Sequence, residues 1–429
     1  MTGKLSSTLV PSRRGFLAAS ASAIGMLRSN AADAPPKSTE TDLNPTYLRN
    51  AIRLGCGWLT DVAQIKADKL NGTETNSRQL MHKHWKGALR GDYRTAERKW
   101  DFSCPIAHTG QALKALAMAS RVMEDDQYLA AARVSAEFLA AERNADRRAK
   151  NFGLLFAYEF KSDEVNTEAV LQTVDGLLAL GEATGERKYI DMGLDAAFWV
   201  ARNAYVSDGL FRDAFDVKTG QFVAPPWQNE KTGRPLLDDG IMLKAYKQTK
   251  NALCRRIFFA TAERLLKEEE APGNWTHVPP GPRSAYGHLR QSFWWGDPMI
   301  AAFQESGDKR YLECARRIGD WYLHLTRDES DPFLGSLRPS AGIDTSGMAC
   351  AAILWLDLYQ ETKDERWMAA ARRALRYCLN MQFREVQDPN LRGAFLEQVL
   401  PPNGTDRSPY YVRDIATIFF VQAACKLLS

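Results

Sequence analysis

The sequence feature that most constrains the fold is a short turn that recurs along the chain. Residues 124–129, 184–190, 306–312 and 362–368 each place charged residues before an aromatic side chain. The aromatic residues are 61, 122 and 56 residues apart. These spacings indicate a period of about 60 residues, with the spacing of 122 covering two periods. The unit between them, with its turn near 250–252, lacks the aromatic residue. A repeat of this length indicates a pair of helices plus a long connection, stacked against its neighbours.

Between these turns, apolar residues recur with the period of an α-helix. We count one helix near 47–67, five helical pairs that begin near 108, 171, 237, 293 and 344, and a last helix near 409–428. The first helix of each pair is apolar nearly all round and the second is amphipathic, which is typical of inner and outer helices. The sequence therefore predicts an all-α fold, an (α/α)6 toroid of twelve main helices in which the first helix packs on the last.

Because the same period runs through the chain after a polar linker at 35–45, we expect a single domain over residues 46–429. Hydrophobic residues make up 45% of the chain and charged residues 25%, enough for a large core. The net charge is +4, and the first 34 residues hold four of the basic residues against one aspartate. Because the remainder has no basic stripe, we expect no nucleic acid partner.

The first 34 residues resemble an export signal. Arg13 and Arg14 lie in the run Ser-Arg-Arg-Gly-Phe-Leu at 12–17, followed by small apolar residues at 18–27 and a cleavage zone at 30–34. We expect a twin-arginine (Tat) signal peptide over residues 1–34, the Tat translocase as a transient partner, and a periplasmic or secreted mature protein. The alternative is a disordered tail with two chance arginines. No other segment reaches membrane-spanning length, so we expect no further membrane contact.

The seven cysteines are scattered, and no two of them form a Cys-x-x-Cys pair. Most lie in apolar helical stretches, where cysteine behaves as a small hydrophobic residue. We expect packing roles, with one disulfide left possible in an oxidising compartment.

Polar residues gather where the inner helices begin. Because the turns within pairs are short, all the long links meet at this one rim, where a cleft would form. Most of the polar residues that align at the helix starts stand beside a small residue. They are Gln111, Asp175, Asp239, Asp297, Ser346 and Asp414, with His108, Asp238, Asp344 and Arg413 close by. We expect small neighbours such as Gly176 to leave room for a ligand.

Two of these carboxylates have an alternative role. Asp297, which precedes Pro298, and Asp344 could simply cap helices. Asp175 and Asp239 are harder to explain in that way. Asp175 lies inside a helix that begins near Asn166, and Asp239 interrupts an apolar run. A carboxylate in an apolar setting is unfavourable, and its raised pKa suits a general acid.

Tryptophans and histidines complete the list of candidate residues. Six of the eleven tryptophans fall in or beside the long links: Trp85, Trp100, Trp227, Trp275, Trp294 and Trp295. Flat aromatic faces next to carboxylates suit sugar rings, although loops also pack with aromatics. The histidines show no metal-binding spacing, so we expect neither a metal nor a cofactor.

Three short segments resemble the six-hairpin glycosidases, most closely the unsaturated glucuronyl and rhamnogalacturonyl hydrolases of glycoside hydrolase families 88 and 105. They are Leu-Asp-Asp-Gly-Ile-Met-Leu at 237–243, Asp-Thr-Ser-Gly-Met-Ala at 344–349 and Tyr-Tyr-Val-Arg-Asp at 410–414. In that family an inner-helix aspartate protonates the enol ether of an unsaturated uronic acid, and water then adds. The resemblance implies Asp239 (or Asp238) as the acid, Asp175 as second carboxylate, and Arg290 or Arg413 as partner of the uronate carboxylate.

The expected substrate is therefore an oligosaccharide or polysaccharide that contains uronic acid, with Trp294, Trp295 and Tyr411 among the binding residues. A conventional inverting glycosidase could use the same carboxylates. Two other functions remain open. A polysaccharide lyase or sugar epimerase would need a base, for which Tyr410, Tyr411, His108 and His288 are candidates, and a toroid of this kind could also bind glycans without catalysis.

Overall fold

The computed structural model describes residues 43–72, 74, 82–158, 163–223, 233–273, 275, 292–325, 343–399 and 411–429. The predicted signal peptide and most of the linker lie outside these residues. Within them the chain forms twelve α-helices: α1 (Pro45–Gly57), α2 (Pro105–Met123), α3 (Gln127–Ala141), α4 (Thr167–Thr184), α5 (Arg187–Trp199), α6 (Ile241–Thr249), α7 (Ala252–Glu268), α8 (Asp297–Ser306), α9 (Lys309–Leu325), α10 (Thr345–Thr362), α11 (Glu365–Asn380) and α12 (Asp414–Leu428).

The helices form a closed double ring, which confirms the predicted toroid. The even-numbered helices make the inner ring: α2 packs on α4, α4 on α6, α8 on α10, α10 on α12, and α12 back on α2. The ring continues from α6 to α8 through the 3-10 turn Asp238–Gly240, which precedes α6. Each odd-numbered helix from α3 to α11 packs on the inner helix before it, and α1 packs on α12 as predicted.

The five hairpins all turn through one residue in the left-handed backbone conformation. These residues are Glu124, Gly185, Lys250, Gly307 and Lys363. The repeat unit that lacks the aromatic residue has the same turn at Lys250, as the sequence period predicts. Helices α3, α5, α9 and α11 carry the repeated aromatic side chain in their first turn. It is buried in each case, at Tyr128, Tyr189, Tyr311 and Trp367.

Short antiparallel strands tie together the long links between the hairpins. The strands are β1 (Asp92–Arg94), β2 (Lys99–Asp101), β3 (Glu164–Asn166), β4 (Tyr205–Ser207), β5 (Leu210–Phe211), β6 (Ala214–Asp216), β7 (Gln221–Val223), β8 (Ile343–Asp344), β9 (Gln398–Val399) and β10 (Tyr411–Arg413). They pair in the orders β10-β1-β2, β3-β6-β7, β4-β5 and β8-β9. Because β10 pairs with β1, the link that leads into α12 is fixed to the link that leads into α2.

Two glycines beside the rim residues, Gly110 and Gly176, serve helix packing rather than ligand space. A Cβ atom on Gly176 would lie 1.7 Å from the carbonyl oxygen of Gly110, and one on Gly110 would lie 2.5 Å from Cα of Thr173. Helices α2 and α4 therefore touch backbone to backbone, and the expectation that Gly176 leaves room for a ligand is wrong.

The core contains all seven cysteines. Each is buried and none forms a disulfide, which agrees with the predicted packing role. Over the described ranges, no helix combines the length and the apolar character needed to cross a bilayer.

Candidate active site

Charged and amide side chains meet at the centre of the ring, and every inner helix or its leading turn supplies at least one. We call this set the axial cluster. Its members are Gln111 and Lys114 from α2, Asp175 from α4, Asp239 and Lys244 from the turn before α6 and from α6, Asp297 from α8, Asp357 from α10, and Gln422 and Lys426 from α12.

Asp239 occupies a strained position in this cluster. Its φ of 48° is in the left-handed region, and Gly240 follows with a φ of 63°. For a residue other than glycine, this conformation costs about 1–2 kcal/mol. Such strain persists where the surrounding structure imposes it, and functional sites are common examples. The two left-handed residues in succession end the 3-10 turn and place the Asp239 side chain among the other inner helices.

The Asp239 carboxyl is almost fully enclosed. The residue is 3% exposed, and its Oδ2 accepts a hydrogen bond from Gln111 Nε2 at 3.2 Å. Gln111 is itself held by Gln422, whose Nε2 donates to Gln111 Oε1 at 3.2 Å. Among the described residues, Oδ1 of Asp239 has no hydrogen-bond partner. A buried polar atom without a partner is costly in a folded protein, so this oxygen is a candidate contact for a substrate.

Asp175 and Asp239 have opposite protonation preferences. Burial and the nearby Asp175 charge raise the pKa of Asp239 to about 7. Burial also disfavours the charge on Asp175, but two ammonium groups outweigh it and lower the pKa of Asp175 to about 2. Lys114 Nζ donates to Asp175 Oδ2 at 2.6 Å, and Lys244 donates to the other oxygen. Near neutral pH the site thus holds one ionised carboxylate and one carboxyl that can still carry a proton.

A second pair of carboxyls lies on the other side of the cluster. Burial and the charge of Asp297 raise the pKa of Asp357 well above its usual range. Asp297 is half-buried, yet Lys426 and a hydrogen bond with Asp357 lower its pKa against the effect of burial. Lys426 Nζ lies 2.5 Å from Asp357 Oδ1. Of the two aspartates, Asp357 therefore holds a proton more readily and Asp297 ionises more readily.

The structure also settles the capping alternative for Asp297. The N-cap of α8 is Gly296, and no side chain forms a cap hydrogen bond there. Asp297 instead takes part in the axial cluster, so the interpretation of this residue as a helix cap is wrong.

Asp238 lies in a different environment from its neighbour. It lines a small gap with Leu171, Leu237 and Phe258, between α4, α6 and α7. Burial and Glu168 raise the pKa of Asp238 well above its usual range, against the effect of Arg234. Of the two adjacent aspartates, only Asp239 belongs to the axial cluster.

Glu168 and Arg234 form a buried ion cluster with Asp213. Arg234 Nε donates to Asp213 Oδ2 at 2.7 Å, and its terminal nitrogen donates to Glu168. This cluster attaches the segment before the 3-10 turn to the first turn of α4. It therefore fixes the position of the turn that carries Asp239.

Several predicted rim residues bind other parts of the protein. His108 Nδ1 lies 2.7 Å from Asp414 Oδ1, and the Gly91 amide donates to Asp414 Oδ2 at 3.0 Å. Arg413, a candidate partner for a uronate carboxylate, donates from Nε to Asp92 Oδ1 at 2.9 Å. These contacts attach the start of α12 to the link before α2, and the predicted sugar-binding role of the three residues stays a prediction.

Ser346 and the two adjacent tryptophans are also enclosed. Ser346 Oγ donates to Glu397 Oε1 at 2.8 Å, which joins α10 to the residue that precedes β9. Trp294 and Trp295 are 6% and 2% exposed, and Trp295 packs edge-on against Trp275 with ring centroids 5.1 Å apart. Packing is the role that these contacts show for Trp295, while stacking on sugar remains a prediction for both rings.

Four other candidates cannot be assigned a place. Arg290, Trp227, Tyr410 and His288 lie outside the described residues. The side chains of Asp344 and Tyr411 lie outside them as well, although the backbone places these residues in β8 and β10. In the part of the chain that is described, no group of three or more His, Cys, Asp or Glu residues is arranged to hold a metal ion.

Sequence reasoning missed five members of the axial cluster. They are Lys114, Lys244, Asp357, Gln422 and Lys426. Each lies in an inner helix whose neighbouring positions are largely apolar, and a charge in such a helix was the signal that could have found most of them.

Comparisons with known proteins establish a likeness of fold. Neither the models of protein families nor the curated proteins give a match. Unsaturated glucuronyl hydrolase from Bacillus sp. GL1 has a TM-score of 0.59 and 17% identity, covering 89% of this chain and 96% of that chain. Cellobiose 2-epimerase from Spirochaeta thermophila DSM 6192 has a TM-score of 0.58 and 15% identity, covering 91% and 100%.

A third similar structure is a family 76 glycoside hydrolase (mannosidase) from Bacteroides thetaiotaomicron VPI-5482. Its TM-score is 0.59 and its identity 12%, covering 89% of this chain and 98% of that chain. At such identities the likeness extends to the fold alone. The chain has the six-hairpin toroid fold that these carbohydrate-processing enzymes share.

Proposed function

We propose that this protein is a carbohydrate-active hydrolase that uses Asp239 as its general acid and acts on oligosaccharides ending in an unsaturated uronic acid. The observation that carries the proposal is the pair of buried carboxyls with opposite protonation preferences. A pKa of about 7 keeps Asp239 able to donate a proton near neutral pH, beside an Asp175 that stays ionised.

The proposed reaction needs one group that both gives and takes a proton. Asp239 protonates C4 of the C4=C5 enol ether, and water adds at C5. The resulting Asp239 carboxylate accepts the proton that the water loses, which restores the acid. The hemiketal so formed opens and releases the next sugar. Asp175 stays ionised throughout, and its charge keeps Asp239 protonated in the resting site.

An epimerase or isomerase is the second candidate, since a cellobiose 2-epimerase is among the similar structures. That chemistry removes a proton from carbon and requires a base. The axial cluster holds carboxyl, ammonium and amide groups, and its members include neither histidine nor tyrosine. His108, a sequence candidate for the base, is paired with Asp414. The raised pKa of Asp239 suits a proton donor near neutral pH, and it supports the hydrolase as the first candidate.

The test compares two neighbouring aspartates. We expect Asp239→Asn to lower the turnover of unsaturated disaccharides about 10²–10⁴-fold, the usual worth of a general acid. Asp238→Asn, which changes a buried carboxyl outside the axial cluster, is the matched control and should stay within about tenfold of the wild type. Full activity in the Asp239 variant would reject the assignment. The formation of new unsaturated ends from intact polyuronides would indicate a lyase instead.

We also infer that the protein is exported through the twin-arginine route, on the basis of Arg13 and Arg14 in the run at 12–17. Changing both arginines to lysine should leave the protein in the cytoplasmic fraction of its host. Unchanged export of the double variant would contradict this inference.

A further inference from the structure

A cavity opens among the hairpin turns, on the face of the ring opposite the rim. It has a volume of about 900 Å³ and is lined by the C-terminal halves of α2 and α4, by residues at the start of α3, and by Lys244 of α6. On α2 its lining runs from Lys114 to Glu124, which corresponds to a depth of about 15 Å at the rise of a helix. This size lies within the range of small-molecule sites. We call it the turn-side funnel.

The floor of the funnel carries a positive charge. Lys114, Asp175 and Lys244 line it, so two ammonium groups face one carboxylate. The Lys244 side chain is 40% exposed, whereas that of Asp175 is 3% exposed. An ammonium has three N–H donors, and within the described part of the chain Asp175 is the one hydrogen-bond partner of Lys244. A ligand in the funnel can therefore reach Lys244 without displacing Asp175.

The mouth of the funnel has the opposite charge. Glu124, Asp126 and Glu182 line it against the single guanidinium of Arg121. Three carboxylates at the entrance repel a ligand with several negative charges. The two ammonium groups at the floor repel a cation, and a fully apolar ligand would remove them from water without compensation.

The walls between floor and mouth are made by small and apolar side chains. Ala117, Met118, Leu178 and Ala179 line this middle section. They leave space for the body of a ligand and offer it no charge. The arrangement as a whole fits a molecule with one anionic group at its inner end and an uncharged body.

We propose that the turn-side funnel is a binding site for a small organic monocarboxylate with an uncharged body. Its carboxylate contacts the Lys244 and Lys114 ammonium groups, and its body lies against the α2 and α4 walls. The floor residues belong to the axial cluster, but the funnel opens on the face opposite the rim, so a ligand can bind in it whether or not the hydrolase activity is present.

A labelling experiment on the full-length protein locates the site directly. Acylation of lysines by an amine-reactive reagent is followed by mass spectrometry, with D-glucuronate as the probe and D-glucose as its uncharged analogue. We expect saturating D-glucuronate to slow the labelling of Lys244 at least about fivefold and D-glucose to have no effect. Lys247, exposed on the same helix, is the internal control and should label at the same rate throughout. Equal labelling of Lys244 with and without D-glucuronate would overturn the proposal.

A variant that fills the funnel tests whether the ligand binds there. Ala179→Trp fills the funnel at a residue that makes no part of the axial cluster, and circular dichroism checks that the variant folds. We expect D-glucuronate affinity for the funnel, measured by calorimetry and by Lys244 protection, to fall at least about tenfold. In Asp239→Asn, which removes the proposed acid and leaves the funnel lining unchanged, the protection of Lys244 should persist.

If Ala179→Trp does not fold, Ala183→Trp, at an exposed position of the lining, serves the same purpose. Protection of Lys244 that persists in a folded variant of this kind would contradict binding in the funnel. If the wild type does not hydrolyse unsaturated disaccharides but still binds D-glucuronate in the funnel, the proposed function is rejected and this inference remains.

Discussion

The raised pKa of Asp239 makes a quantitative prediction about stability. The unfolded carboxyl ionises near 3.8, whereas the folded one ionises near 7 because burial and Asp175 oppose its charge. Between these two pH values the unfolded state has lost a proton that the folded state retains. The free energy of unfolding therefore falls as the pH rises through this window, at about 1.4 kcal/mol per pH unit. The full effect is up to about 4 kcal/mol and is complete above pH 7.

Asp239→Asn removes this titration while keeping the shape of the side chain. We expect the variant to gain stability over the wild type as the pH rises, with about 3 kcal/mol of the total appearing between pH 5 and pH 8. Urea unfolding followed by far-UV circular dichroism at the two pH values measures the difference. Asp191→Asn, at an exposed position on α5, is the control and should show little change with pH.

The refuting result is simple to recognise. If Asp239→Asn and the wild type differ by the same amount at pH 5 and at pH 8, the folded Asp239 ionises like an exposed aspartate. Neither the strained turn nor the buried position would then give this residue the proton that the proposed mechanism requires.

Two further predictions concern the lysines and the ring itself. Lys244→Met removes a cation that lowers the pKa of Asp239, so the pH–activity profile should shift to higher pH; an unchanged profile would remove this lysine from the mechanism. Gly176→Ala places a Cβ atom 1.7 Å from the Gly110 carbonyl oxygen and should cost about 3 kcal/mol in urea unfolding, or prevent folding. Gly193→Ala, whose added Cβ would lie 3.4 Å or more from its neighbours, should be neutral or stabilising by up to about 1 kcal/mol. Equal tolerance of the two alanines would contradict the close α2–α4 contact.

The helical ring could be predicted because its signals are local and repeated. The charged turn before a buried aromatic residue recurs in four hairpins, and the fifth, at Lys250, turns through the same left-handed conformation without the aromatic. Asn166 was likewise identified near the start of α4, and its side chain does accept the cap hydrogen bond from the Ala169 amide at 3.0 Å. Such features depend on residues only a few positions apart.

The arrangement of the site could be predicted only in part, because it depends on contacts between distant segments. Lys114 and Lys244 approach the same carboxylate from two helices, and no local pattern reveals that they converge on Asp175. The sequence indicated Asp239 as the acid and left the adjacent Asp238 as the alternative. The left-handed backbone of Asp239 separates it from Asp238, and this conformation follows from the fold around the 3-10 turn.

The measurement that tests the central claim most directly is the pH dependence of hydrolysis of an unsaturated glucuronyl disaccharide. The reaction is followed by the loss of the ultraviolet absorbance of the unsaturated uronate, in the wild type and in Asp239→Asn. The proposed mechanism predicts a wild-type rate that falls as the pH rises through about 7, because Asp239 then loses its proton, and almost no rate in the variant. A rate that rises through pH 7, or an active Asp239→Asn variant, would contradict it.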